Sequence, residues 1–211
     1  MPNDRMQDST KGMSYGSASR LHSHDYLMPT VLRVLAGLGS PGRLLDIGCG
    51  NGSKTAAYAS QGWQTVGIDV SESGIQQARQ AYGGTFEIGS AYDDHLERFG
   101  TFGAVVSLEV VEHLYDPPTF ARRIFGCLDL GGTAILSTPY HGYAKNLALA
   151  LSGELDFHFR VLRVGGHIKF WSLKTFRTLL SQAGFDPIVF HRVGRIPMFA
   201  KSMIAVARKP T

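Results

Sequence analysis

The sequence predicts an α/β protein with a doubly wound, seven-stranded and mostly parallel sheet that ends in an antiparallel hairpin. Short apolar runs alternate with segments of helical periodicity between residues 43 and 138, and this rhythm implies parallel strands with helices on both faces of the sheet. The last two apolar runs, 188–193 and 202–207, are too close together for a helix to connect them. We therefore expect these two strands to pair antiparallel.

The first half of the chain supplies three predicted strands and the helices between them. A helix predicted at 24–38 has apolar residues on one face and ends at Gly37 and Gly39. A short buried strand and a glycine-rich turn follow it. The remaining elements predicted here are strand 44–48, helix 53–60, strand 64–69, helix 71–82 and strand 85–89.

The second half completes the sheet. The strand predicted at 102–108 contains an unbroken apolar run, which is typical of a strand buried on both faces. Pro117 and Pro118 suit the first turn of the next helix, where a missing N–H costs nothing. The later elements predicted are helix 117–128, strand 133–138 and helix 173–184.

We expect residues 1–40 to form an N-terminal tail and a cap helix, and residues 41–211 to form the main domain. The main domain contains an insertion at 140–171, directly after the fifth strand, that is longer than such connections normally need. Ligands bind beyond the carboxyl ends of the strands in sheets of this kind. We therefore expect the insertion to act as a lid, with a short helix at 144–151.

The composition excludes several classes of protein. Of 211 residues, 44% are hydrophobic and 18% are charged, which suits a globular domain and is too apolar for disorder. No apolar run approaches the roughly 20 residues of a membrane span. The two cysteines do not form a CxxC pair, and the first 14 residues lack the apolar segment of a secretion signal. We therefore expect a cytoplasmic location.

Charge is distributed unevenly along the chain. Residues 158–211 contain ten basic residues and one acid, a net charge of +9, whereas residues 1–157 contain eleven basic and sixteen acidic residues, a net charge of −5. Such asymmetry is typical of proteins that meet an anionic substrate, an anionic membrane or nucleic acid. A solvated basic face is the alternative.

The segment 46–52 follows the first strand and opens a helix, and it contains Gly48, Gly50 and Gly52. Glycines at this point let the backbone turn tightly and let a ligand approach it. Asp69 ends the second strand, where an acid is placed to accept hydrogen bonds from ribose hydroxyls. The turn lacks the spacing of dinucleotide and phosphate loops. Asp46 would repel a phosphate but would suit a positive group such as an ammonium.

Four segments together resemble class I S-adenosylmethionine-dependent methyltransferases. The matching segments are 44–52, 66–71, 102–114 and 131–138. Within that superfamily, further residues resemble the ubiquinone-biosynthesis O-methyltransferases, namely 137–139, Lys145, Ala148, 162–164 and 166–170. The resemblance implies a Rossmann-like fold and S-adenosyl-L-methionine as cofactor.

The resemblance also implies where the cofactor lies. Its methionine part is expected against Asp46, Gly48 and Gly50, and its ribose hydroxyls on Asp69. Leu108 is expected to line the same cleft. The residues expected beside the adenine are Val70, Ser90, Ala91 and Tyr92.

Glu109, Glu112 and His113 follow the fourth strand at spacings of three and four, which would place them on one face if this segment were helical. Two carboxylates and an imidazole suit a divalent ion of the Mg or Mn type, and His167 could be a fourth ligand. The set resembles the metal site of plant-type small-RNA 2′-O-methyltransferases, which binds a vicinal diol, and a catechol is also a vicinal diol. The alternative is a metal-free pair held by a structural hydrogen bond.

His141 lies just past the fifth strand, over the same cleft, and could be the general base for a phenol. It could instead only shape the pocket. In a metal-free site, His167 could take the proton in place of His141, with His113 paired to Glu112.

The sequence therefore predicts methyl transfer to the hydroxyl of a small aromatic or catechol-like acceptor. Alternatives are metal-dependent 2′-O-methylation of RNA and N-methylation of a small molecule. The insertion could touch a membrane surface through 144–151, and a nucleic-acid partner is not expected. The oligomeric state is left open.

Overall fold

The computed structural model describes residues 22–159, 162 and 165–211. Residues 1–21 of the predicted N-terminal region lie outside the described residues, as do Arg160 and Arg163 of the insertion. Within the described part, three short 3-10 turns accompany the helices and strands, at His22–Leu27, Val111–His113 and Pro197–Phe199.

Helices and strands alternate as the sequence predicted. The strands are β1 (Arg43–Ile47), β2 (Gln64–Asp69), β3 (Thr85–Ile88), β4 (Phe102–Leu108), β5 (Leu128–Pro139), β6 (Ile188–Val193) and β7 (Ser202–Arg208). The helices are α1 (Met28–Ala36), α2 (Ser53–Ala59), α3 (Glu72–Ala81), α4 (His95–Phe99), α5 (Pro117–Cys127), α6 (Tyr143–Ser152), α7 (Leu155–Phe159) and α8 (Leu173–Gln182).

All seven strands belong to one sheet, in the order β3-β2-β1-β4-β5-β7-β6. Strands β1 to β5 run parallel, and β7 pairs antiparallel with both β5 and β6. The predicted doubly wound sheet with a terminal antiparallel hairpin is therefore confirmed. Two large apolar clusters pack within the layers, one containing Phe120 and Phe176 and the other containing Leu35 and Tyr58.

The structure differs from the sequence prediction at a few element boundaries. The first helix begins as a 3-10 turn and becomes α-helical at Met28, next to Pro29 in its first turn. Strand β5 starts at Leu128 rather than at 133, with an irregular register before its regular pairing with β4. Helices α4 and α7 were not predicted, because five residues are too few to show helical periodicity.

The predicted insertion at 140–171 contains α6 and α7, neither of which has a buried residue. Its two ends lie side by side, because Tyr140 and Trp171 form an isolated parallel bridge and the His141 N–H donates to the Trp171 carbonyl at 3.0 Å. The insertion therefore leaves and rejoins the fold at one place, beside the carboxyl end of β5.

None of the described helices combines the length and the apolar character that a helix needs to cross a lipid bilayer.

The contact between Gly67 and Phe86 tests the packing of β2. A Cβ atom at Gly67 would lie 2.8 Å from Phe86 and 3.0 Å from the Cys49 sulfur, whereas nothing lies within 4 Å of a Cβ at Gly83. We expect Gly67→Ala to lower the free energy of unfolding by about 1–3 kcal/mol through overpacking. Gly83→Ala is the control and should change it little. Urea unfolding measures both, and equal values for the two variants would contradict this account.

Candidate active site

The glycine-rich turn after β1 is tied to the end of β2 through Asp69. The Asp69 carboxylate accepts hydrogen bonds from the N–H of Gly50 and the N–H of Ser71, both at 2.8 Å. Gly48 and Gly50 have φ values of 80° and 57°, which L-residues with a side chain rarely adopt. The bent turn leaves its backbone at the carboxyl edge of the sheet, where the sequence places the cofactor.

Asp46 lies at the end of β1, beneath this turn, and is only 3% exposed. The Thr55 hydroxyl donates a hydrogen bond of 2.6 Å to its carboxylate. Burial raises the pKa of Asp46 to about 6, although Thr55 and the charge of Lys54 partly offset that effect. A buried acid of this kind is stabilised in its ionised form by a cationic ligand, such as the ammonium of an amino acid.

The other residues expected at the cofactor lie along the same edge. Leu108 ends β4 and is buried, and Ala91, just past the end of β3, is buried as well. The Tyr92 hydroxyl accepts a hydrogen bond from the N–H of Asp116 at 3.0 Å. Val70 directly follows β2, Ser90 lies two residues past the end of β3, and both are half-buried. The fold thus brings all nine predicted cofactor residues to the carboxyl ends of β1 to β4.

Three of the four predicted metal ligands come together, and Glu112 is their centre. Its Oε1 lies 4.0 Å from Nε2 of His113 and 3.9 Å from Nε2 of His167, and one ligand atom of each residue lies within 4.8 Å of the others. The side chain of Glu112 is fully buried, and neither carboxylate oxygen has a hydrogen-bond partner among the described residues.

The buried position of Glu112 disfavours its ionised form. Burial raises its pKa well above the usual range, and the charge of Glu109 raises it further. The Glu112 backbone N–H and the nearby Thr138 hydroxyl lower the pKa in part, although neither makes a hydrogen bond of good geometry to the carboxylate. A buried carboxyl group without a partner is costly, and a cation between it and the two imidazoles would supply one.

His167 lies in this cluster because backbone hydrogen bonds hold its segment of the insertion beside Glu112. The Glu112 carbonyl accepts hydrogen bonds from the N–H of Ile168 at 2.9 Å and the N–H of Lys169 at 3.0 Å. His113 Nδ1 lies 3.3 Å from the Gly166 carbonyl oxygen. These contacts hold the end of the insertion against the segment that follows β4.

Glu109, the fourth predicted ligand, lies outside the three-residue cluster. Only Val111–His113 forms a helical turn, and Glu109 has a φ of 58°, so the expected common face does not form. Its carboxylate accepts hydrogen bonds from Ser137 at 2.8 Å and Ser202 at 3.2 Å. Burial raises the pKa of Glu109 to about 7, against the effect of those two hydroxyls.

A cavity of about 460 Å³ lies beside the end of β5, beneath the insertion. His141 is one of its walls and is 8% exposed. Its ring stacks against Phe159 at 5.9 Å between centroids and meets Phe170 edge-on at 5.1 Å. The residues that line the cavity are Pro139, His141, Lys145, Ala148, Leu149, Ser152, His158, Phe159, His167, Phe170, Arg195, Phe199 and Lys201.

His141 is neutral at physiological pH. Burial lowers its pKa to about 4, and the charges of Lys145 and His158 lower it further. Its Nδ1 has no hydrogen-bond partner among the described residues. A neutral imidazole at the cavity wall can accept a proton from a bound hydroxyl.

Comparison with known protein families identifies the family of the chain. A family model described as a methyltransferase domain matches residues 20–189. The chain belongs to the methyltransferase family. Together with the fold, this match confirms the predicted membership of the class I S-adenosyl-L-methionine-dependent methyltransferase family.

Relatives with assigned names are similar over much of the chain. A ubiquinone biosynthesis O-methyltransferase of Ruegeria pomeroyi is 35% identical over 162 residues, which are 74% of this chain and 63% of that protein. A protein of the same name from Xanthomonas campestris is 34% identical over 140 residues, 64% of this chain and 58% of that one. The methyltransferase therefore spans about three fifths of the length of these relatives.

Solved structures share the fold. The magnesium protoporphyrin IX methyltransferase of Synechocystis, solved with bound S-adenosylhomocysteine, is 23% identical with a TM-score of 0.68, over 87% of this chain and 82% of that one. A methyltransferase from Archaeoglobus fulgidus is 16% identical with a TM-score of 0.70, over 87% of this chain and 93% of that one. The likeness extends to the fold alone at these identities.

Sequence reasoning missed part of the cavity. His158 was not among the predicted site residues, and Arg195 and Lys201 come from the region between β6 and β7, which carries no recognisable motif. The one signal for the two cations was the excess of positive charge after residue 158.

Asp69 gives a direct test of the cofactor cleft. We expect Asp69→Ala to weaken S-adenosylhomocysteine binding by about 1.5–3 kcal/mol, the usual value of hydrogen bonds to a charged group. This corresponds to roughly 10- to 150-fold in Kd. Calorimetry measures the affinity, and thermal unfolding checks that the variant is folded. Asp129→Ala, an exposed acid at the opposite end of the sheet, is the control, and equal affinities for the two variants would contradict the placement.

Proposed function

We propose that the protein transfers the methyl group of S-adenosyl-L-methionine to a hydroxyl oxygen of a small aromatic acceptor held in the cavity. The observation that carries the proposal is the position of the cavity, with aromatic walls and a neutral imidazole, beside the cofactor edge of the sheet. The names of the relatives from Ruegeria and Xanthomonas support an oxygen acceptor.

The reaction is an in-line displacement. The acceptor oxygen forms a bond to the methyl carbon as the bond from that carbon to sulfur breaks, and S-adenosylhomocysteine leaves with the electron pair of the broken bond. The hydroxyl proton passes to the imidazole of His141. The protein supplies alignment, exclusion of water and a place for this proton.

The size of the cavity favours a small acceptor over RNA. Its volume of about 460 Å³ lies within the range of small-molecule sites, roughly 300–1,000 Å³. Its aromatic walls suit a flat ring.

We further propose that Glu112, His113 and His167 hold a divalent metal ion. The buried carboxylate has no hydrogen-bond partner in the described part of the chain, and together with the two imidazole nitrogens it forms a donor set that fits such an ion. A bound divalent ion lowers the pKa of a hydroxyl that it contacts. A catechol-type acceptor, with two adjacent hydroxyls, would match this site.

Removal of metal tests this part of the proposal. We expect exhaustive chelation to abolish activity and Mg²⁺ or Mn²⁺ to restore it, because the ion would favour the ionised acceptor. Glu112→Gln should lose the response to metal and keep its S-adenosylhomocysteine affinity. Glu154→Gln, an exposed residue of the insertion, is the control. Full activity of a protein shown by metal analysis to be empty would overturn the metal site but not the methyl transfer.

His141 tests the route of the proton. We expect His141→Phe to lower kcat by about 10²–10⁴-fold, the usual contribution of a general base, with cofactor affinity unchanged. Because the pKa of His141 is about 4, the imidazole stays neutral above about pH 5. The ratio of wild-type to variant kcat/KM should therefore be constant from about pH 5.5 to pH 8. A ratio that falls with decreasing pH in this range would show that His141 itself titrates above about pH 5, and a ratio near one would show that another group takes the proton.

We also propose that the insertion contacts an anionic membrane surface. Large apolar side chains are exposed on it: Tyr143, Leu147, Leu151, Phe157 and Leu162. Basic residues follow in the sequence, which suits an interfacial segment. The cytoplasmic location predicted from the sequence is compatible with such peripheral contact.

Vesicle flotation tests the membrane contact. We expect the protein to float with vesicles that contain anionic lipid, and Leu151→Asp to reduce the floating fraction several-fold because it places a charge on the apolar surface. Leu130→Asp is a matched control, since Leu130 is 74% exposed and Leu151 is 80% exposed. Equal loss in both variants, or no flotation of the wild-type protein, would contradict the proposal.

A further inference from the structure

The acceptor cavity contains a concentration of positive charge, and no acid is found among its described lining residues. Lys145, Arg195 and Lys201 all line it. Within the described chain, none of these three cations has a carboxylate at ion-pair distance. They come from three separate segments, namely α6, the stretch after β6 and the residue before β7, so the fold itself brings them together.

Lys145 is the most enclosed of the three. Its Nζ donates one hydrogen bond to the Tyr140 carbonyl at 2.9 Å, and an ammonium group has three N–H donors. Burial and the charge of Arg195 lower the pKa of Lys145. Bringing two cations together in a partly buried place is unfavourable by itself, and an anion between them would reverse that effect.

The nearest acid does not neutralise the cluster. Glu109 is close enough to favour the charged form of Lys145, but its carboxylate accepts hydrogen bonds from Ser137 and Ser202 instead. Burial raises the pKa of Glu109 to about 7, so it is only partly ionised at neutral pH. The positive charge therefore faces the cavity.

Aromatic rings in the same cavity indicate the kind of molecule that would carry an anionic group bound there. The rings of His141, Phe159 and Phe170 pack against one another within 4.9–5.9 Å between centroids. These rings offer a wall for the aromatic part of an acceptor. Lys201 also contacts an aromatic ring, because its Nζ lies 5.3 Å from the centre of the Tyr26 ring.

We infer that Lys145, Arg195 and Lys201 bind an anionic group, a carboxylate or a phosphate, carried by the methyl acceptor. The inference rests on the proposed function, because it names a substituent of the same aromatic acceptor. The aromatic ring lies against the wall of His141 and the two phenylalanines, and its anionic group lies toward the three cations. The substrate is thus a hydroxylated aromatic acid rather than a neutral phenol.

Binding of two matched compounds tests the inference without turnover. 3,4-Dihydroxybenzoate and 3,4-dihydroxybenzamide share a ring and a diol and differ in charge. We expect calorimetry with the S-adenosylhomocysteine-loaded protein to give at least tenfold tighter binding of the benzoate at low salt, and a smaller difference at high salt. Arg195→Gln should weaken benzoate binding at least threefold and leave benzamide binding unchanged. Arg192→Gln, an exposed cation of β6 that does not line the cavity, should change neither.

A third compound separates the two kinds of anion. 3,4-Dihydroxyphenylphosphonate carries the geometry of a phosphate on the same ring, and tighter binding than the benzoate assigns the subsite to phosphate. Equal affinity for benzoate and benzamide, or binding of none of the three compounds, would overturn the inference. So would a benzoate preference that survives the double change Arg195→Gln and Lys201→Gln.

Methylation of the same compounds reports separately on the proposed function. If the charged compounds bind as expected but neither they nor the benzamide are methylated in the presence of S-adenosyl-L-methionine and Mg²⁺, the anion subsite stands and the proposed acceptor class fails. If the benzamide is methylated as efficiently as the benzoate and binds equally well, the function stands and the subsite fails.

Discussion

Parallel pairing around β1 is the constraint on which the site depends. Asp46 pairs with Gly67 of β2 on one side and with Val106 of β4 on the other, so three strands end at the same edge. Each strand then delivers a chemically different segment there. The glycine turn follows β1, Asp69 ends β2 and the segment of Glu112 follows β4. A register shift of one residue would turn these side chains to the opposite face and separate them from one another.

Charge in the cleft is divided between two ends. The acids Asp46 and Asp69 belong to the ends of β1 and β2, where a cofactor with an ammonium and a sulfonium group would lie. The cations belong to the insertion and to the region before β7, where the acceptor would lie. Methyl transfer from a sulfonium to a phenolate cancels both charges, and such a step is helped by a site that excludes water. The division therefore matches the proposed reaction, with each reactant held by the opposite charge.

The sequence predicted the strands and turns on the side where the cofactor is expected, because their signals are local. Gly48, Gly50 and Asp69 sit in short segments where the strand, the turn and the residue types agree, and the sheet order follows from their alternation. The acceptor side was harder to predict. Glu109 was expected to join Glu112 on a helical face, but its hydrogen bonds to Ser137 and Ser202 draw it away. The partners in those bonds come from β5 and β7, and no local pattern shows them. Arg195 and Lys201 were missed for the same reason, since only the antiparallel pairing of β6 with β7 brings that region over the cavity.

Because both ends of the insertion are fixed to the fold, its sequence and length can vary between related enzymes. Tyr140 and Trp171 are adjacent in space, and the segment near His167 is fastened to the Glu112 carbonyl. The chain between these fixed points is a closed loop, whose length can change at small entropic cost. Substitutions or length changes within it leave the strand register and the glycine turn untouched. Within a single domain, the strands and the glycine turn that would bind the methyl donor can therefore stay fixed, while the insertion that would bind the acceptor can change.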